Sequence, residues 1–231
     1  MRRCRIKASM KEEIFALLRA ADWDGLVARA REDRRLLTAL IGVLYHPDEF
    51  LAWRAVEGFG RLVAVLAADE EFCRDRMRRL FWALNDESGT SGRFVAPAVG
   101  EAVARAPDFL GENALILLNA LDEPYLQAGV AWAFGRIGGV RPELVREAVP
   151  QLRRLLGSPD PQVRGCAAWA LGEMDAVEAA AALNELTGDA ARVRIYLDGN
   201  LTEKTVGELA AGAVAKLKAK TACRSPFSVQ G

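Results

Sequence analysis

Histidine is nearly absent from this sequence: His46 is the one imidazole among 231 residues. Metal sites made of His, Asp and Glu usually use two or more imidazoles, and Ser–His or Cys–His catalysis needs a histidine beside the nucleophile. The sequence therefore disfavours a metalloenzyme and a histidine-dependent hydrolase. We predict no metal, no cofactor and no catalytic residue, and we expect His46, which precedes Pro47, to lie in a turn.

Cysteine is also sparse. The four thiols, at Cys4, Cys73, Cys166 and Cys223, show no CxxC spacing, which favours reduced thiols in a cytoplasmic protein over a disulfide framework. Two arginines, Arg74 and Arg76, follow Cys73 closely and are expected to lower its pKa if they face the thiol. Cys166 stands among small residues and is predicted to be a buried, inert thiol.

Long apolar runs and net charge are missing as well. No stretch of 18 uncharged apolar residues occurs, and the basic start of the chain has no apolar segment behind it. Neither a spanning helix nor a signal peptide is therefore expected. The 31 basic residues balance 31 acidic ones, so no global field attracts nucleic acid or a membrane. We predict a cytoplasmic protein without a membrane partner, and nucleic-acid binding is disfavoured.

The sequence does contain a repeat. Short segments of small residues that end in glycine recur at 55–60, 96–100, 131–135, 168–172 and, more weakly, 209–212, and their glycines stand 40, 35, 37 and 40 residues apart. Apolar residues at helical spacing fill the intervals, and recurrence at this period is typical of an α-solenoid. The small residues let the first helix of each pair approach its neighbours closely. The glycine is predicted to end that helix or allow a turn.

Each repeat is predicted to contain two helices. Twelve positions before each signature glycine stands a residue that can begin a first helix: Asp48, Ser88, Glu123 (after Asp122), Asp160 and Asn200. Apolar residues at helical spacing then mark second helices within 72–84, 109–121, 144–156 and 177–186.

The segment Asp160–Gly172 reads Asp-Pro-Gln-Val-Arg-Gly-Cys-Ala-Ala-Trp-Ala-Leu-Gly. It resembles the HEAT repeat, in the short variety found in phycobilin-lyase-like proteins. The likeness is fair at 122–138 and degenerate at 48–60 and 88–100. It implies paired antiparallel helices, second helices lining a concave face, and Asp and Arg side chains linking neighbouring repeats. We predict an all-α, right-handed α-solenoid of about five HEAT-like helix pairs.

Residues 1–47 are predicted to form an N-terminal helical cap on the repeat array at 48–219. A cap is needed because each repeat buries its apolar face only against its neighbours. At the other end, residues 220–231 are expected to be a flexible tail.

A short insertion breaks the helical period at about 192–203. Apolar and polar residues alternate there around Asp198-Gly199, which predicts a small β-hairpin. Because Ile195 and Leu197 require burial, a hairpin that covers a solenoid end is favoured over one that offers an edge strand to a partner. Thr205 and Glu208 then form a capping box before a last helix at about 206–219.

The densest polar cluster lies between two predicted helices, at 82–93. It can bind a basic peptide or a cation, with a tryptophan as apolar anchor and an arginine as anion contact. The alternative interpretation is a glycine-rich turn with a serine N-cap. The candidate partner-binding residues are Trp82, Asn85, Asp86, Glu87, Ser88 and Arg93.

Three tryptophans, Trp53, Trp132 and Trp169, fall in predicted first helices, the last two at equivalent repeat positions. A repeated aromatic of this kind predicts a packing layer between repeats.

Three functions are compatible with the repeat. We predict a non-catalytic scaffold or adaptor that binds another protein through its concave face or the 82–93 loop. The first alternative is a lyase-like chaperone for a bilin or another cofactor, and the second is a HEAT-like DNA-binding glycosylase, for which basic residues are too mixed with acids. The resemblance also includes deoxyhypusine hydroxylases, whose iron is held by His-Glu pairs; the sequence has no His-Glu pair.

Overall fold

The computed structural model describes the backbone of residues 2–84 and 92–224, and the side chains of residues 10–84 and 92–220. Asn85, Asp86, Glu87 and Ser88 therefore lie outside the described residues. The α-helices are α1 (Arg2–Ala20), α2 (Trp23–Glu32), α3 (Arg35–Val43), α4 (Glu49–Leu66), α5 (Glu70–Leu84), α6 (Val95–Arg105), α7 (Pro107–Leu110), α8 (Gln127–Gly138), α9 (Val149–Leu155), α10 (Pro161–Glu173), α11 (Ala180–Glu185) and α12 (Val206–Arg224).

Shorter 3₁₀ segments continue several of these helices. They span Gly111–Asp122, Pro142–Ala148, Val177–Ala179 and Leu186–Gly188, and a two-stranded sheet is formed by β1 (Arg192–Leu197) and β2 (Asn200–Thr205). The described chain is therefore an all-α repeat fold with one small hairpin, as predicted from the sequence.

Five first helices stack side by side in chain order: α4, α6, α8, α10 and α12. Each contacts the next at the glycine of its small-residue segment. A Cβ atom added to Gly100 would lie 2.5 Å from Cβ of Ala133, and one added to Gly172 would lie 2.7 Å from Cα of Ala213. Gly60 and Gly135 meet the following helix in the same way. The repeat glycines therefore permit the close approach that the sequence predicts.

The prediction that these glycines end the first helices or allow a turn is wrong at Gly60, Gly100 and Gly135. Helix α4 continues from Gly60 to Leu66, and α6 continues from Gly100 to Arg105. A Cβ atom added to Gly212, the weak fifth match, would have no neighbour within 4 Å. Gly172 combines both roles, since it contacts Ala213 of α12 and α10 ends one residue later, at Glu173.

Helix starts follow the capping prediction at two positions. The side chains of Asp48 and Asp160 accept hydrogen bonds from the backbone N–H groups of Leu51 and Gln162 and begin α4 and α10. The other predicted starts fail for the described residues. A turn separates Asp122 and Glu123 from α8, which begins at Gln127, and Asn200 lies in β2.

Arginine–carboxylate pairs link consecutive second helices on the outside of the array. Arg74 of α5 donates to Glu112 at 2.7 Å, and Arg146 donates to Glu178 at 3.2 Å. In the most regular repeat, Arg164 donates from Nε and Nη2 to Oδ2 of Asp189 at 2.9 and 2.8 Å. The Arg164–Asp189 contact lies within one repeat, whereas Arg141 donates to Asp108 of the preceding repeat at 2.9 Å and so forms an Arg–Asp link between neighbouring repeats of the kind that the resemblance implied.

The N-terminal helices α1, α2 and α3 pack on α4 through one leucine each. Leu18, Leu26 and Leu40 approach the position of a Cβ on Gly58 to 3.2, 3.0 and 3.6 Å. All three leucines are fully buried. These contacts cover the face of α4 that has no preceding repeat.

The hairpin has a two-residue turn in which Asp198 and Gly199 both adopt positive φ, +49° and +77°. This is the backbone geometry of a type I′ turn, which Asp-Gly favours. The capping box follows as predicted: Glu208 accepts from the Thr205 N–H at 2.6 Å, and the Thr205 hydroxyl accepts from the Glu208 N–H at 3.0 Å. Helix α12 then extends to Arg224, past the predicted end at about 219.

The hairpin does not cover an end of the solenoid. Strand β1 packs against α10, and β2 contacts α4, so the hairpin bridges the first and fourth first helices. Val193 and Ile195 are buried in this position. The predicted burial is confirmed for Ile195, whereas Leu197 is only partly buried, and the sequence did not indicate which surface covers them.

The close contact at Gly172 predicts that alanine substitutions at Gly172 and at Gly212 change the stability of the protein in opposite directions. Gly172→Ala should lower the free energy of unfolding by about 1–3 kcal/mol, because the new methyl group would overlap the backbone of Ala213. Gly212→Ala, in the exposed part of α12, should raise it by about 0.5–1 kcal/mol through helix propensity alone. Urea unfolding followed by circular dichroism measures both. Equal effects would contradict the contact.

Candidate functional site

A polar cleft with a volume of about 720 Å³ lies between the first helices and the hairpin. We call it the first-helix cleft. It is lined by Trp23, Arg54, Glu57, Arg61, Glu101, Arg105, Trp132, Arg136, Trp169, Glu173, Tyr196, Leu197, Asp198, Gly199, Asn200 and Lys216. Every first helix contributes at least one charged side chain to it.

The position of this cleft corrects an expectation. The resemblance implied a concave face lined by second helices, whereas the described cleft is lined by first helices, by Trp23 of α2 and by the hairpin. The hairpin accounts for the difference, because it crosses from α10 to α4 and closes a cavity on the first-helix side of the array.

The floor of the cleft is a ladder of alternating charges. The residue directly after each repeat glycine lines the cleft, and these residues are Arg61, Glu101, Arg136 and Glu173. Lys216 of α12 continues the series and donates to Glu173 at 2.5 Å. Because the glycines set equivalent positions of adjacent helices side by side, charges of alternating sign meet their opposites.

Glu101 is the one charged residue in the buried core of the described chain, with 2% of its surface exposed. Its two carboxylate oxygens accept from Nε of Arg105 and from Nε of Arg136, each at 2.6 Å. Burial by itself lowers the pKa of Arg136, but the hydrogen bond and the charge of Glu101 outweigh it and raise that pKa. Arg136 is therefore held as a cation, and the Nε atoms of both arginines are engaged on the cleft floor.

A second carboxylate, Glu57, organises the neighbouring part of the cleft. Arg61 donates to Glu57 Oε1 from Nε at 3.1 Å and from Nη2 at 2.7 Å. Arg54 lies 3.9 Å from Oε2, and Nη2 of Arg105 lies 3.7 Å from Oε1. The hydroxyl of Tyr196 donates to Oε2 at 2.9 Å. Burial, and then the Glu57 charge, raise the pKa of Tyr196, so the phenol stays protonated as this donor.

An aromatic layer fixes the hairpin to the first helices. Tyr196 stacks on Trp53 with ring centroids 5.2 Å apart and an interplanar angle of 1°. Trp132 lies against Trp53 and donates its indole N–H to the backbone oxygen of Tyr196 at 2.8 Å. Trp132 also stacks on Trp169 at 6.1 Å. The predicted packing layer between repeats exists, and it extends into the hairpin and the cleft.

A smaller cleft of about 400 Å³ lies near the N-terminal ends of α4, α6, α8 and α10 and includes Arg93. Arg93 lies over the ring of Phe94 at 4.9 Å and 3.6 Å from Glu49, to which Arg194 of β1 also binds at 2.8 Å. The side-chain amide of Gln162 pairs with both the N–H and the C=O of Arg194, at 3.0 and 2.7 Å. The Gln162 side chain therefore satisfies both backbone hydrogen-bonding groups of Arg194, which β2 does not pair.

The predicted partner-binding residues are only partly placed by the structure. Trp82 lies on α5 with 80% of its surface exposed. Arg93 lies at the smaller cleft and not at the first-helix cleft. Asn85, Asp86, Glu87 and Ser88 lie outside the described residues, so the 82–93 loop stays a prediction as a binding site.

The two described cysteines are buried and free. Burial and then the charge of Asp69 raise the pKa of Cys73 to about 11, and Arg76 lowers it only in part. The expectation of an activated thiol at Cys73 is therefore wrong, because the arginines follow it in sequence but desolvation dominates in the fold. Cys166 is inert as predicted, since burial raises its pKa to about 12.

Two further properties of the described residues bear on function. No group of three or more His, Cys, Asp and Glu side chains in these ranges is arranged to hold a metal ion. Within the same ranges, no helix is both long and apolar enough to cross a membrane. His46 lies at the turn before α4, where its Nδ1 accepts from the N–H of Asp48 at 3.0 Å.

The stacked helix pairs define the class of protein, which is a helical repeat solenoid with a polar cleft along its first helices. A family model described as a HEAT-like repeat matches residues 124–174, which include α8 and α10. The match supports a HEAT-repeat protein. It does not distinguish the phycobilin-lyase-like variety from others.

Two known proteins are similar to this chain. An uncharacterized protein of Archaeoglobus fulgidus is 34% identical over 112 residues, a region that covers 48% of this chain and 56% of that protein. The chain thus matches little more than half the length of this relative. The crystal structure of an engineered protein aligns with this chain over 90% of each of the two chains, with a TM-score of 0.59 and 17% sequence identity. This second likeness concerns the fold alone.

Sequence reasoning missed most of the first-helix cleft. Glu57, Glu101, Arg105, Arg136 and Tyr196 were not singled out as functional residues. One signal was available: the residue after the signature glycine is charged in four successive repeats and alternates Arg, Glu, Arg, Glu. The pairing of Glu57 with Tyr196 had no such signal, since 139 residues separate them.

Because Glu101 is buried, removal of its negative charge is expected to lower the stability of the protein strongly. Glu101→Gln should lower the free energy of unfolding by about 2–4 kcal/mol, because it leaves two half-buried guanidinium groups with one neutral acceptor. Glu112→Gln, which breaks the exposed ion pair with Arg74, should change it by no more than about 0.5 kcal/mol. Urea unfolding compares the two, and similar losses would show that Glu101 is not a buried hub.

The raised pKa values of Cys73 and Cys166 predict that their thiols are unreactive in the folded protein. In a Cys4→Ser/Cys223→Ser background, Cys73 and Cys166 should not react with a disulfide reagent at pH 8 until the protein unfolds, because both remain protonated and buried. The neutral folded thiols stabilise the fold fully below the unfolded thiol pKa of about 8.5. This contribution should be lost as the pH rises toward 11 to 12. Rapid reaction of the native protein would refute this.

Proposed function

We propose that this protein is a non-catalytic HEAT-like scaffold that holds a segment of a partner protein in the first-helix cleft. The observation that carries the proposal is the row of arginines on the cleft floor, which the buried Glu101 and the partly buried Glu57 hold in fixed positions beside an open volume of about 720 Å³. Arginine and tryptophan are the residues that most often dominate binding energies at protein interfaces.

Preorganisation supports a binding role for these arginines. A long, flexible side chain loses conformational entropy when a ligand immobilises it, and this loss weakens binding. Arg136 and Arg105 are already immobilised by Glu101, and Arg61 is immobilised by Glu57 and lies over the ring of Trp23 at 4.7 Å. Their terminal nitrogens can therefore bind a partner with a smaller entropic loss.

The size of the cleft is consistent with a short segment and not with a whole domain surface. Cavities of about 300–1,000 Å³ enclose ligands of the size of a few amino-acid residues. Trp23 and Trp169, both half-buried, add apolar surface to the cleft wall. A loop, a terminus or an extended peptide of the partner fits these dimensions.

The 82–93 loop is the second proposed contact. Trp82 is the most exposed large apolar side chain among the described residues, at 80%. An exposed tryptophan next to a polar loop is a suitable anchor for a partner surface. This contact and the first-helix cleft are separate proposals for the same partner, and substitutions at each distinguish them.

A cofactor chaperone is the second candidate function. It is favoured by the aromatic surface that Trp132, Trp169 and Tyr196 contribute to the cleft. A planar chromophore with acidic substituents would contact both these rings and the arginines. Uptake of such a ligand can be measured directly.

Affinity capture from the native host tests the scaffold proposal. The wild type should retain a partner protein in stoichiometric amount, and Arg61→Gln should reduce capture at least tenfold, because one fixed guanidinium is lost from the cleft. Glu57 keeps Tyr196 as a hydrogen-bond donor in this variant, so the fold should persist. The exposed Arg153 of α9 lies outside the cleft, and Arg153→Gln should capture the partner normally.

The other outcomes discriminate among the candidates. Loss of capture with Trp82→Ala but not with Arg61→Gln would place the partner at the 82–93 loop. A visible absorption band that develops on titration with a bilin or haem, and that weakens in Arg61→Gln, would favour the cofactor chaperone. A salt-sensitive mobility shift with DNA, together with no captured protein, would favour nucleic-acid binding instead.

A further inference from the structure

We infer that the segment bound in the first-helix cleft is acidic and presents two neighbouring carboxylates, one to each of two arginine pairs. This inference rests on the proposed function, since it specifies the chemistry of the partner at the same site. The charges of the cleft, their pairing and their burial support it in turn.

The first arginine pair is Arg54 and Arg61, which share the single carboxylate of Glu57. Two positive charges meet one negative charge, so one positive charge is left over. Arg54 lies over Phe50 at 4.9 Å and over Trp23 at 5.6 Å. Its Nε is buried and has no hydrogen-bond partner within the protein, and an unmatched donor of this kind is costly unless something accepts from it.

The second arginine pair is Arg105 and Arg136, which share the carboxylate of Glu101. Each uses Nε for this carboxylate, so the terminal nitrogens of Arg136 are left for a further acceptor. The second pair, like the first, therefore has one more positive charge than negative charge. Nη2 of Arg105 also lies 3.7 Å from Glu57, so the two pairs adjoin each other.

The remaining charged groups of the cleft do not cancel this excess. Glu173 is paired with Lys216 at 2.5 Å. Asp198 stands at the tip of the hairpin and is exposed, so water and salt screen its charge. The two arginine pairs therefore keep an excess of two positive charges over Glu57 and Glu101. The whole lining, with Asp198 counted, keeps an excess of one, although the chain has a formal net charge of zero.

Partial burial strengthens the attraction between this excess positive charge and a ligand carboxylate. The four guanidinium side chains are 13% to 31% exposed, and charges in such positions interact through a lower effective dielectric than charges on the open surface. A ligand carboxylate that enters the cleft thus gains more from each arginine than it would at a solvated site. It also accepts hydrogen bonds from planar donors that favour bidentate contact.

The distribution of the charges favours two carboxylates over one phosphate group. The excess is divided into two single positive charges, each beside a resident glutamate. A phosphate monoester concentrates nearly two negative charges at one point, where it would be repelled by Glu57 or by Glu101. Two carboxylates on adjacent or nearby side chains place one charge at each arginine pair.

Fluorescence anisotropy with labelled synthetic peptides tests the inference. The probes are serine-rich peptides with two glutamates that are adjacent or separated by one, two or three serines, and the matched controls replace one or both glutamates by glutamine. The best two-glutamate peptide should bind about tenfold or more tightly than its one-glutamate control, which is the effect of one charge-assisted contact. Its affinity should fall as salt is raised.

The variants locate the binding. Arg61→Gln should reduce the preference for two glutamates over one to near unity, because one of the two arginine pairs loses its excess charge. Arg153→Gln should leave the preference unchanged. Thermal unfolding of each variant checks that the fold persists, and Arg105→Lys, which keeps the charge but not the bidentate donor, provides a second test with an intermediate loss.

Three results would overturn the inference. They are equal binding of neutral and two-glutamate peptides, no binding of any acidic peptide, and tighter binding of a peptide with a single phosphoserine. If affinity capture still yields a partner that Arg61→Gln releases, the scaffold proposal stands and only the chemistry of the segment is wrong. If no partner is captured and no peptide binds, both proposals fail.

Discussion

The close approach of neighbouring first helices is the constraint on which the rest of this structure depends. Gly60, Gly100, Gly135 and Gly172 leave no room for a side chain where the next helix passes. These close approaches, together with the side-chain packing around them, set the relative position of adjacent helices. Residues at equivalent repeat positions therefore lie close together. Charges that alternate in sign from one repeat to the next in the sequence consequently alternate from one helix to the next on the surface.

The cleft follows from that alignment. Each charged residue after a repeat glycine is placed next to its counterpart, so that Glu101 meets Arg136 and Glu173 meets Lys216. The hairpin then uses the aromatic layer of the same helices as its docking surface, and its Tyr196 reaches Glu57 on the first of them. Rigid helices, paired charges and a stacked hairpin together give a cleft whose arginines are held in place before any partner arrives.

Local chemistry was read reliably from the sequence. The caps at Asp48 and Asp160, the Asp198-Gly199 turn and the Thr205–Glu208 capping box all involve atoms a few residues apart, where backbone geometry leaves few alternatives. The period of the glycines indicated the solenoid for a similar reason. Other predictions failed where two distant elements decide the outcome, as with the thiol of Cys73 or the surface that the hairpin covers. The helix starts predicted at Glu123 and Asn200 are local predictions that failed as well.

The sequence by itself therefore determined the repeat, the helices that compose it and the hairpin, because periodicity and short-range hydrogen bonding specify these elements. Only the tertiary structure decided that the first helices, and not the second, line the first-helix cleft. It also decided which arginines share Glu57 and Glu101. Those contacts join residues from several helices and a hairpin, and they depend on how far the array curls around the hairpin. That curvature is set by the sum of many packing contacts and has no signature at any single position.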